Sequence, residues 1–508
     1  MKVNRQLSGP AKWLVIIILS MSIFSGCKDH SAGIAESSTG PDIGDLSMSD
    51  DLRQVFSERR ERLMDSVEEG IFIISSGSFP SGSHCEYRVN DNFYWLTGID
   101  QPLSAVVIRK NVPDSYALFL RERNRRDIIY NGRAQGNEEI IAVYGVDTII
   151  PYSELTGLIQ NSISSGTPVY IDFKDRMLRG NLVSEAEKQG KTETLVRDIG
   201  PVIEEMRVIK DEVEIKRIRK AIDLTGEAFV NACRICRPGL FEFEIEAMIE
   251  YIFRRNGSDR PAFSSITGSG PNTVTLHYSD NNRKMEDGDL LLMDIGAEYG
   301  YYAADISRTI PVNGRFTKEQ REIYDLVLKA QEAAIREMQP GKPLYAGHPK
   351  ATSVIARGLF DLGLLTDTAS IWQKEFYTIY QINHYLGLGV HDAGDYGLPG
   401  AFIHDLIAVD TAIGRPLEKG MVLTVEPGIY MRENGLAQIH EIVGDKVSEE
   451  ELREFIKRVS PVYEKYKNTG VRIEDDVLIT ADGNLILSKD IPKQPDEIET
   501  IMNSRRIR

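Results

Sequence analysis

The sequence predicts an α+β protein with two folded domains, an α/β domain followed by a larger domain of antiparallel sheet and helices. Its 508 residues exceed the roughly 250–300 that one hydrophobic core usually serves. Hydrophobic residues make up 42% of the chain, which supports globular cores. The apolar pattern changes near residue 206, from short runs between helices to long helices that accompany strands.

The first domain shows the alternation that is typical of an α/β fold. Short apolar runs predict strands at 71–74, 105–108, 116–120 and 169–171. Helical patterns lie between them, around 52–68, 136–144 and 181–190. Strands that alternate with helices in this way predict an α/β domain.

The second domain combines long helical patterns with strands that end in acidic residues. Helices are predicted at 211–233, 240–256 and 317–338, and strands at 290–295, 301–310, 421–425 and 471–480. In the last strand the apolar residues alternate, which places Arg472 and Glu474 on one face. Because Pro427 cannot donate to a ladder, the strand before it should leave Glu426 at its end.

The first 27 residues have the pattern of an export signal. Lys2, Arg5 and Lys12 precede an apolar run at 13–24, and small residues lead into Cys27. The run is shorter than the roughly 20 apolar residues that span a bilayer. We predict a bacterial lipoprotein signal at 1–27, lipid on Cys27 and a flexible tether at 28–50, which would anchor the protein in the cell envelope. An uncleaved anchor or plain secretion stays open.

Charge and cysteine content limit the remaining function classes. The net charge of −16 and the pI near 5.2 argue against general nucleic-acid binding, which needs a basic face. Cys233 and Cys236 form a CxxC at the end of a helical pattern, without the second pair of a zinc site. We interpret them as small helix residues, although an oxidising envelope would permit a disulfide.

Asp294 and Asp305 flank a short polar turn between two predicted strands. If the hairpin centres between Tyr299 and Gly300, the two carboxylates lie directly opposite each other, where like charges repel. Asp294 also ends the apolar run 290–293, so its charge should be half buried and costly without a counter-ion. The pair predicts a metal site.

Three further candidate ligands lie downstream, namely His384, Glu426 and Glu474. Four carboxylates and one imidazole, with no thiolate, suit two hard or borderline divalent ions. Manganese is the first expectation, with cobalt, zinc and iron behind it.

Five motifs in order surround these residues: MDIG at 293–296, DISRT at 305–309, GLGVHD at 387–392, VEPG at 425–428 and RIEDD at 472–476. They resemble the signatures of the pita-bread metallopeptidases, in the branch of aminopeptidase P and prolidase. NFYWLTG at 92–98 resembles the start of that branch's amino-terminal domain, and RVIK at 207–210 its domain junction. The resemblance implies a creatinase-like amino-terminal domain at 51–206 and a pita-bread catalytic domain at 207–508.

The resemblance also implies a role for each candidate residue. Two divalent ions that activate a water molecule would be held by five ligands: Asp294, Asp305, His384, Glu426 and Glu474. Glu426 would also transfer a proton. His277 and His391 match histidines near the substrate, although each alone could be a surface or core histidine. Arg472 matches a supporting arginine, or it is simply an ion-pair partner of Asp475 or Asp476.

The sequence departs from the family pattern at one wall of the expected pocket. Many members have a histidine and a glycine four and three residues before the ligand histidine, where this chain has Tyr380 and Gln381. Tyr380 could stack on a prolyl ring or donate a hydrogen bond. Residues 396–415 and 433–467 are predicted insertions at the pocket rim.

The function implied by the resemblance is a metallo-aminopeptidase that releases an amino-terminal residue when proline follows it. The peptide substrate is the expected partner, and the family's habit suggests a homodimer or a larger homo-oligomer. Two alternatives stay open at this point: a prolidase that cleaves only Xaa-Pro dipeptides, and a metal-retaining binding protein with little activity.

Overall fold

The structure is a computed structural model that describes residues 50–77, 87–110, 112–131, 135–191, 195–398 and 412–504. The predicted signal, Cys27 and the tether up to residue 49 lie outside the described residues. Within the ranges given, no helix is both long and apolar enough to cross a membrane.

The amino-terminal domain is built on a mixed sheet of six strands. These are β1 (Ile71–Ser75), β2 (Ser104–Arg109), β3 (Tyr116–Leu120), β4 (Thr148–Pro151), β5 (Val169–Ile171) and β6 (Val196–Asp198). Their order in the sheet is β4-β3-β2-β1-β5-β6, with β1 to β3 antiparallel and the outer strands joined in parallel. The four predicted strands are all present.

The first four residues of central strand β1 are apolar because both faces of the strand are buried. Phe72 and Ile74 pack into one core, whereas Ile71 and Ile73 pack into the other. Helices cover the sheet: α1 (Asp50–Asp65), α2 (Asp91–Thr97), α3 (Arg125–Asn131), α4 (Asn137–Tyr144), α5 (Leu155–Ser165), α6 (Arg176–Lys188) and α7 (Gly200–Val208).

The second domain carries antiparallel strands and eight further helices among the described residues. The helices are α8 (Glu212–Ile235), α9 (Glu242–Arg255), α10 (Lys318–Glu337), α11 (Gly347–Asp361), α12 (Ile371–Tyr377), α13 (Ile439–Val443), α14 (Glu449–Tyr463) and α15 (Pro495–Asn503). Helix α8 begins at a capping box, in which Asp211 accepts from the amide of Glu214 and the Glu214 side chain accepts from the Asp211 amide.

The strands of this domain form small antiparallel sheets. They are β7 (Arg260–Pro261), β8 (Ile266–Ser269), β9 (Leu290–Ile295), β10 (Ala297–Tyr299), β11 (Tyr302–Ala303), β12 (Ile306–Pro311), β13 (Val422–Val425), β14 (Gly428–Met431), β15 (Thr469–Arg472), β16 (Asp475–Ile479) and β17 (Asn484–Ile486). The sheets are β11-β10-β7, β12-β9-β8, β13-β16-β17 and β14-β15. This confirms the predicted fold class, an α/β domain followed by antiparallel sheet with helices.

The register of the hairpin differs from the prediction. Asp294 pairs with Ser307, and the two-residue turn consists of Gly300 and Tyr301, one position later than expected. Both turn residues have positive φ, 55° and 74°, as a type I′ turn requires. The prediction that Asp294 and Asp305 are directly opposed is therefore wrong; Asp305 lies between β11 and β12, diagonal to Asp294.

The predicted strand at 471–480 is also interrupted. It divides into β15 and β16, which belong to different sheets, so Arg472 and Glu474 do not share the face of one strand. At the break the amide of Glu474 donates to the carbonyl of Ser307, at 3.1 Å. This crossing bond brings Glu474 beside the strand that follows Asp305.

The two cysteines of the CxxC are buried at the end of α8. Cys233 lies in α8 and Cys236 follows its last residue, and both are buried free thiols. Burial raises the pKa of Cys236 to about 12, which keeps the thiol protonated and unreactive. The disulfide that the sequence left open is not formed.

The structure describes the two predicted insertions to different extents. Residues 433–467 contain α13 and α14, and Trp372 of α12 packs against Phe455 of α14 with ring centroids 4.9 Å apart. Of the other insertion, residues 399–411 lie outside the described residues.

Candidate metal centre

Five side chains predicted as ligands converge from five separate segments. Asp294 lies in β9, Asp305 precedes β12, His384 lies in the loop after α12, Glu426 joins β13 to β14, and Glu474 joins β15 to β16. Ligand atoms of Asp305, His384 and Glu474 all lie within 4.8 Å of one another. The antiparallel strands therefore present their ends and loops to one point.

The imidazole of His384 is oriented toward the carboxylates. Its Nε2 is 3.4 Å from Oδ2 of Asp305 and 3.5 Å from Oε1 of Glu426. On the other side of the ring, Nδ1 is 3.1 Å from the carbonyl oxygen of Tyr385, which can only accept. A neutral His384 thus carries its proton on Nδ1 and directs the Nε2 lone pair at the acids, the arrangement of a metal-ligating histidine.

The carboxylates carry more negative charge than this site can hold unaided. Burial, and then the charge of Asp294, raises the pKa of Asp305 well above its ordinary range. Burial, and then the charge of Asp305, does the same for the pKa of Glu474. Burial raises the pKa of Glu426 to about 7, although His384 opposes the shift. Acids destabilised by burial and mutual repulsion are what a cation would stabilise.

Two buried oxygens show where a cation fits. Oδ1 of Asp294 and Oε1 of Glu474 have no hydrogen-bond partner among the described residues. Buried polar atoms are normally paired, so such oxygens need an explanation. Orphaned carboxylate oxygens beside a free imidazole nitrogen form an oxygen-rich donor set, which fits hard or borderline divalent ions.

Arg472 is the cation that the chain itself places at this site. It donates to Oδ2 of Asp294 at 2.5 Å, to Oγ of Ser307 at 2.7 Å and to the hydroxyl of Tyr430 at 3.1 Å. The alternative that it pairs with Asp475 or with the aspartate that follows is wrong. Arg472 instead holds one oxygen of Asp294 and leaves the other free.

A cleft of about 460 Å³ opens beside the five side chains. His277 and His391 line it and are partly open to solvent, and the His391 ring lies 4.2 Å from the His384 ring. Burial, and then the neighbouring His384 and His277, lowers the pKa of His391 to about 4. His391 is therefore neutral near pH 7 and can donate one hydrogen bond and accept another.

Sequence reasoning missed three residues that complete this site. Tyr430 and Ser307 bind Arg472, and Oδ2 of Asp476 accepts from the amide of Asp305 at 3.2 Å. Ser307 and Asp476 lie inside the quoted motifs, and Tyr430 comes two residues after one of them. Their positions were visible, but nothing in the motifs identifies their contacts.

Family models match both halves of the chain. The model of metallopeptidase family M24 matches residues 216–481, more than half of the chain, and includes all five converging side chains. The chain belongs to metallopeptidase family M24. The amino-terminal domain of aminopeptidase P matches residues 56–170. These matches confirm the predicted family and its aminopeptidase P branch; the boundary at 206/207 stays a prediction.

Relatives of this M24 chain are named as Xaa-Pro aminopeptidases. The Escherichia coli Xaa-Pro aminopeptidase is 34% identical over 480 residues, covering 90% of this chain and 100% of the relative. Human Xaa-Pro aminopeptidase 3 is 30% identical, covering 89% of this chain and 86% of the relative. The chain is thus a metallo-exopeptidase of this family by descent as well as by fold.

Solved structures agree over the same length. The Pseudomonas aeruginosa aminopeptidase has a TM-score of 0.75 at 32% identity, covering 89% of this chain and 98% of that structure. A variant of E. coli aminopeptidase P in complex with substrate has a TM-score of 0.74 at 33% identity, with the same coverage of 89% and 98%.

Proposed function

We propose that this protein releases the amino-terminal residue from peptides whose second residue is proline. The observation that carries the proposal is the convergence of five ligand-type side chains at a cleft, in a chain that matches Xaa-Pro aminopeptidases across both domains. A relative of the same fold was solved with substrate bound.

Two divalent ions, with manganese first, would be held by Asp294, Asp305, His384, Glu426 and Glu474. When bound, such ions polarise the scissile carbonyl and lower the pKa of bound water. The orphaned oxygens and the raised carboxyl pKa values support this donor set.

The chain's own residues supply proton transfer and positioning. Glu426, with a pKa near 7, can accept a proton from water and return it to the leaving nitrogen. Neutral His391 can donate a hydrogen bond to the substrate, and His277 lines the same cleft. Arg472 fixes Asp294 in place through its ion pair.

The deciding experiment uses a protein that begins at Lys28, is stripped of metal and is assayed with and without Mn²⁺. The substrates are an Xaa-Pro-Yaa tripeptide, an Xaa-Pro dipeptide and an Xaa-Ala-Yaa control. We expect manganese to restore cleavage of the tripeptide alone, and a Glu426→Ala variant to show none. Cleavage of only the dipeptide would move the assignment to prolidase, and no cleavage with any divalent metal would leave a metal-binding protein.

We also propose that residues 1–27 are a lipoprotein signal and that Cys27 carries lipid in a bacterial envelope. In a bacterial host, labelled palmitate should enter the full chain but not a Cys27→Ser variant. Equal labelling of both chains would contradict the proposal. A homodimer or larger assembly is proposed from the family resemblance, and light scattering of the purified protein checks it.

A further inference from the structure

Tyr380 lies at the wall of the cleft, four residues before His384. Its hydroxyl is 2.8 Å from the carbonyl oxygen of Glu426 and 2.9 Å from the hydroxyl of Tyr430. Tyr430 in turn accepts from Arg472 at 3.1 Å, and Arg472 binds Asp294. Tyr380 is therefore connected at both ends to residues of the candidate metal centre.

The hydrogen-bond donors along these contacts can be assigned by elimination. A phenol has one proton to donate, whereas a carbonyl and an arginine can each play only one role. Since Glu426 accepts through its carbonyl, Tyr380 must donate to it, and Tyr430 must then donate to Tyr380. Burial raises the pKa of both phenols, so both protons are kept at working pH. The hydrogen bonds thus all point the same way: Arg472 donates to Tyr430, Tyr430 donates to Tyr380, and Tyr380 donates to the carbonyl of Glu426.

Gly428 provides independent support for the phenol pair. A Cβ on this residue would lie 2.5 Å from the Tyr430 hydroxyl and 2.7 Å from the Tyr380 hydroxyl. Any side chain would displace both oxygens, so the glycine of the VEPG motif leaves the space in which the two hydroxyls meet.

We propose that Tyr380 is a positioning residue whose hydroxyl closes a hydrogen-bond chain between Arg472 and the main chain of Glu426. The hydrogen-bond chain couples Asp294 to Glu426 through three contacts between side chains and a fourth to the main-chain carbonyl of Glu426. Because its only proton is already donated to the carbonyl of Glu426, the Tyr380 hydroxyl has no further proton to donate to a substrate. This corrects the expectation that Tyr380 could donate a hydrogen bond to a peptide. The inference rests on the proposed function for its kinetic readout but not for its metal-binding readout.

The test compares Tyr380→Phe with Tyr377→Phe in the full folded protein. The control is matched, because the Tyr377 phenol also donates to a main-chain carbonyl, that of Leu364 at 2.7 Å, but does not line the cleft. We expect Tyr380→Phe to lower kcat about tenfold with KM little changed, since a buried carbonyl loses its donor. Manganese affinity, measured by calorimetry, should fall by at least about tenfold, the lower end for partners behind a metal ligand. The Tyr377→Phe variant should keep both values.

A Tyr430→Phe variant and the double variant separate a coupled chain from independent contacts. Tyr430→Phe leaves the bond from Tyr380 to Glu426 in place but breaks the chain, so it too should weaken manganese binding. The double variant should lose no more affinity than the worse single variant, because either change breaks the same chain. Wild-type affinity in Tyr380→Phe or Tyr430→Phe, or losses that multiply in the double variant, would overturn the inference.

These outcomes remain readable if the proposed function fails. A wild-type protein that binds manganese but cleaves no peptide refutes the aminopeptidase proposal, and the calorimetric cycle still decides the role of Tyr380. If Tyr380→Phe does not fold, as judged by circular dichroism, the manganese affinity of Tyr430→Phe alone decides whether the hydrogen-bond chain supports the metal centre.

Discussion

Glu474 and Asp475 are neighbours in the chain and both are fully buried, yet their surroundings are opposite. Asp475 accepts from Arg308 and Ser488, each at 2.8 Å, and from Lys493 at 2.5 Å. Burial opposes its ionisation, but Arg308 and Lys493 hold the pKa of Asp475 below its ordinary value. Glu474 meets other acids instead, and its pKa is raised well above the ordinary range.

The comparison shows what distinguishes a buried carboxylate that is neutralised by side chains from one that requires a metal ion. On the Asp475 side the chain supplies the positive charges, so the cluster is complete as folded. On the Glu474 side, Asp305, Glu426 and Asp294 add further negative charge, and the buried oxygens stay unpaired. The first cluster holds the strands together, whereas the second is arranged for ions from solution.

The largest effect on activity should come from substitution of the candidate metal ligand Glu474. Glu474→Gln removes a charged donor, so peptide cleavage should fall by more than about 100-fold, beyond the 10–100-fold that partners behind a ligand cost. The metal-free variant should be at least as stable as the wild type, because an amide relieves the repulsion. Calorimetric manganese titration and urea unfolding test both parts; a marked loss of metal-free stability would contradict the comparison.

A substitution of Asp475 should lower the stability of the fold rather than the affinity for metal. Asp475→Asn leaves the buried Arg308 and the partly buried Lys493 without their counter-ion, which should lower the free energy of unfolding by about 3–5 kcal/mol. The loss should be the same with and without manganese, as urea unfolding under both conditions can show. A loss of stability confined to the metal-loaded protein would show that Asp475 supports metal binding rather than the fold, which would contradict the comparison.

The pH dependence of stability should distinguish the two clusters next. Because the pKa of Glu426 is raised from 4.5 to about 7, the folded metal-free protein binds more protons than the unfolded chain between these values. Its stability should therefore fall as pH rises from about 4.5 to 7, by up to about 1.4 kcal/mol per pH unit for one such group.

Manganese should reverse this trend, since it replaces the protons. The rise in Tm on adding Mn²⁺ should be larger at pH 8 than at pH 5.5, measured by calorimetry. In Glu426→Gln the pH slope of the metal-free protein should flatten. An unchanged slope in that variant would contradict this prediction, because it would show that acids other than Glu426 cause the pH dependence of stability.

The smallest effect should come from an exposed ion pair. Arg357 and Asp361 lie 3.1 Å apart on α11 with side chains 71% and 55% exposed. Asp361→Asn should change the free energy of unfolding by less than about 0.5 kcal/mol, because water screens the pair. A larger change, measured by urea unfolding, would show that burial does not explain why the Asp475 cluster contributes more to stability than this exposed pair.

Local apolar patterns were sufficient to predict the four strands of the amino-terminal domain, and the motifs predicted which five side chains line one cleft. The sequence was insufficient for the hairpin register, which depends on distant contacts. Tyr301 adopts φ 74°, unfavourable for a tyrosine by itself. Its ring stacks on Tyr94 at 3.8 Å and its hydroxyl donates to Asp100 at 2.6 Å, both about 200 residues away.

The interrupted strand at 471–480 and the Tyr380 contacts have the same explanation. Apolar alternation continues through the break, but the amide of Glu474 bonds to Ser307 of β12, which belongs to a different sheet from both β15 and β16. Tyr380 meets Tyr430, fifty positions later in the chain, only because the loop after α12 packs against β14 at Gly428. No spacing rule connects such positions, so tertiary packing decides them.

Arg88 belongs to the amino-terminal domain and pairs there with Asp91, but its three other acceptors belong to the second domain. It donates to Glu298 at 2.9 Å, to the carbonyl of Tyr301 at 3.1 Å and to the carbonyl of Leu388 at 2.9 Å. One guanidinium thus holds both the hairpin of Asp294 and the loop of His391. The two domains are consequently not interchangeable modules: an amino-terminal domain transplanted from a relative would preserve the cleft only if it brought an arginine to the same place.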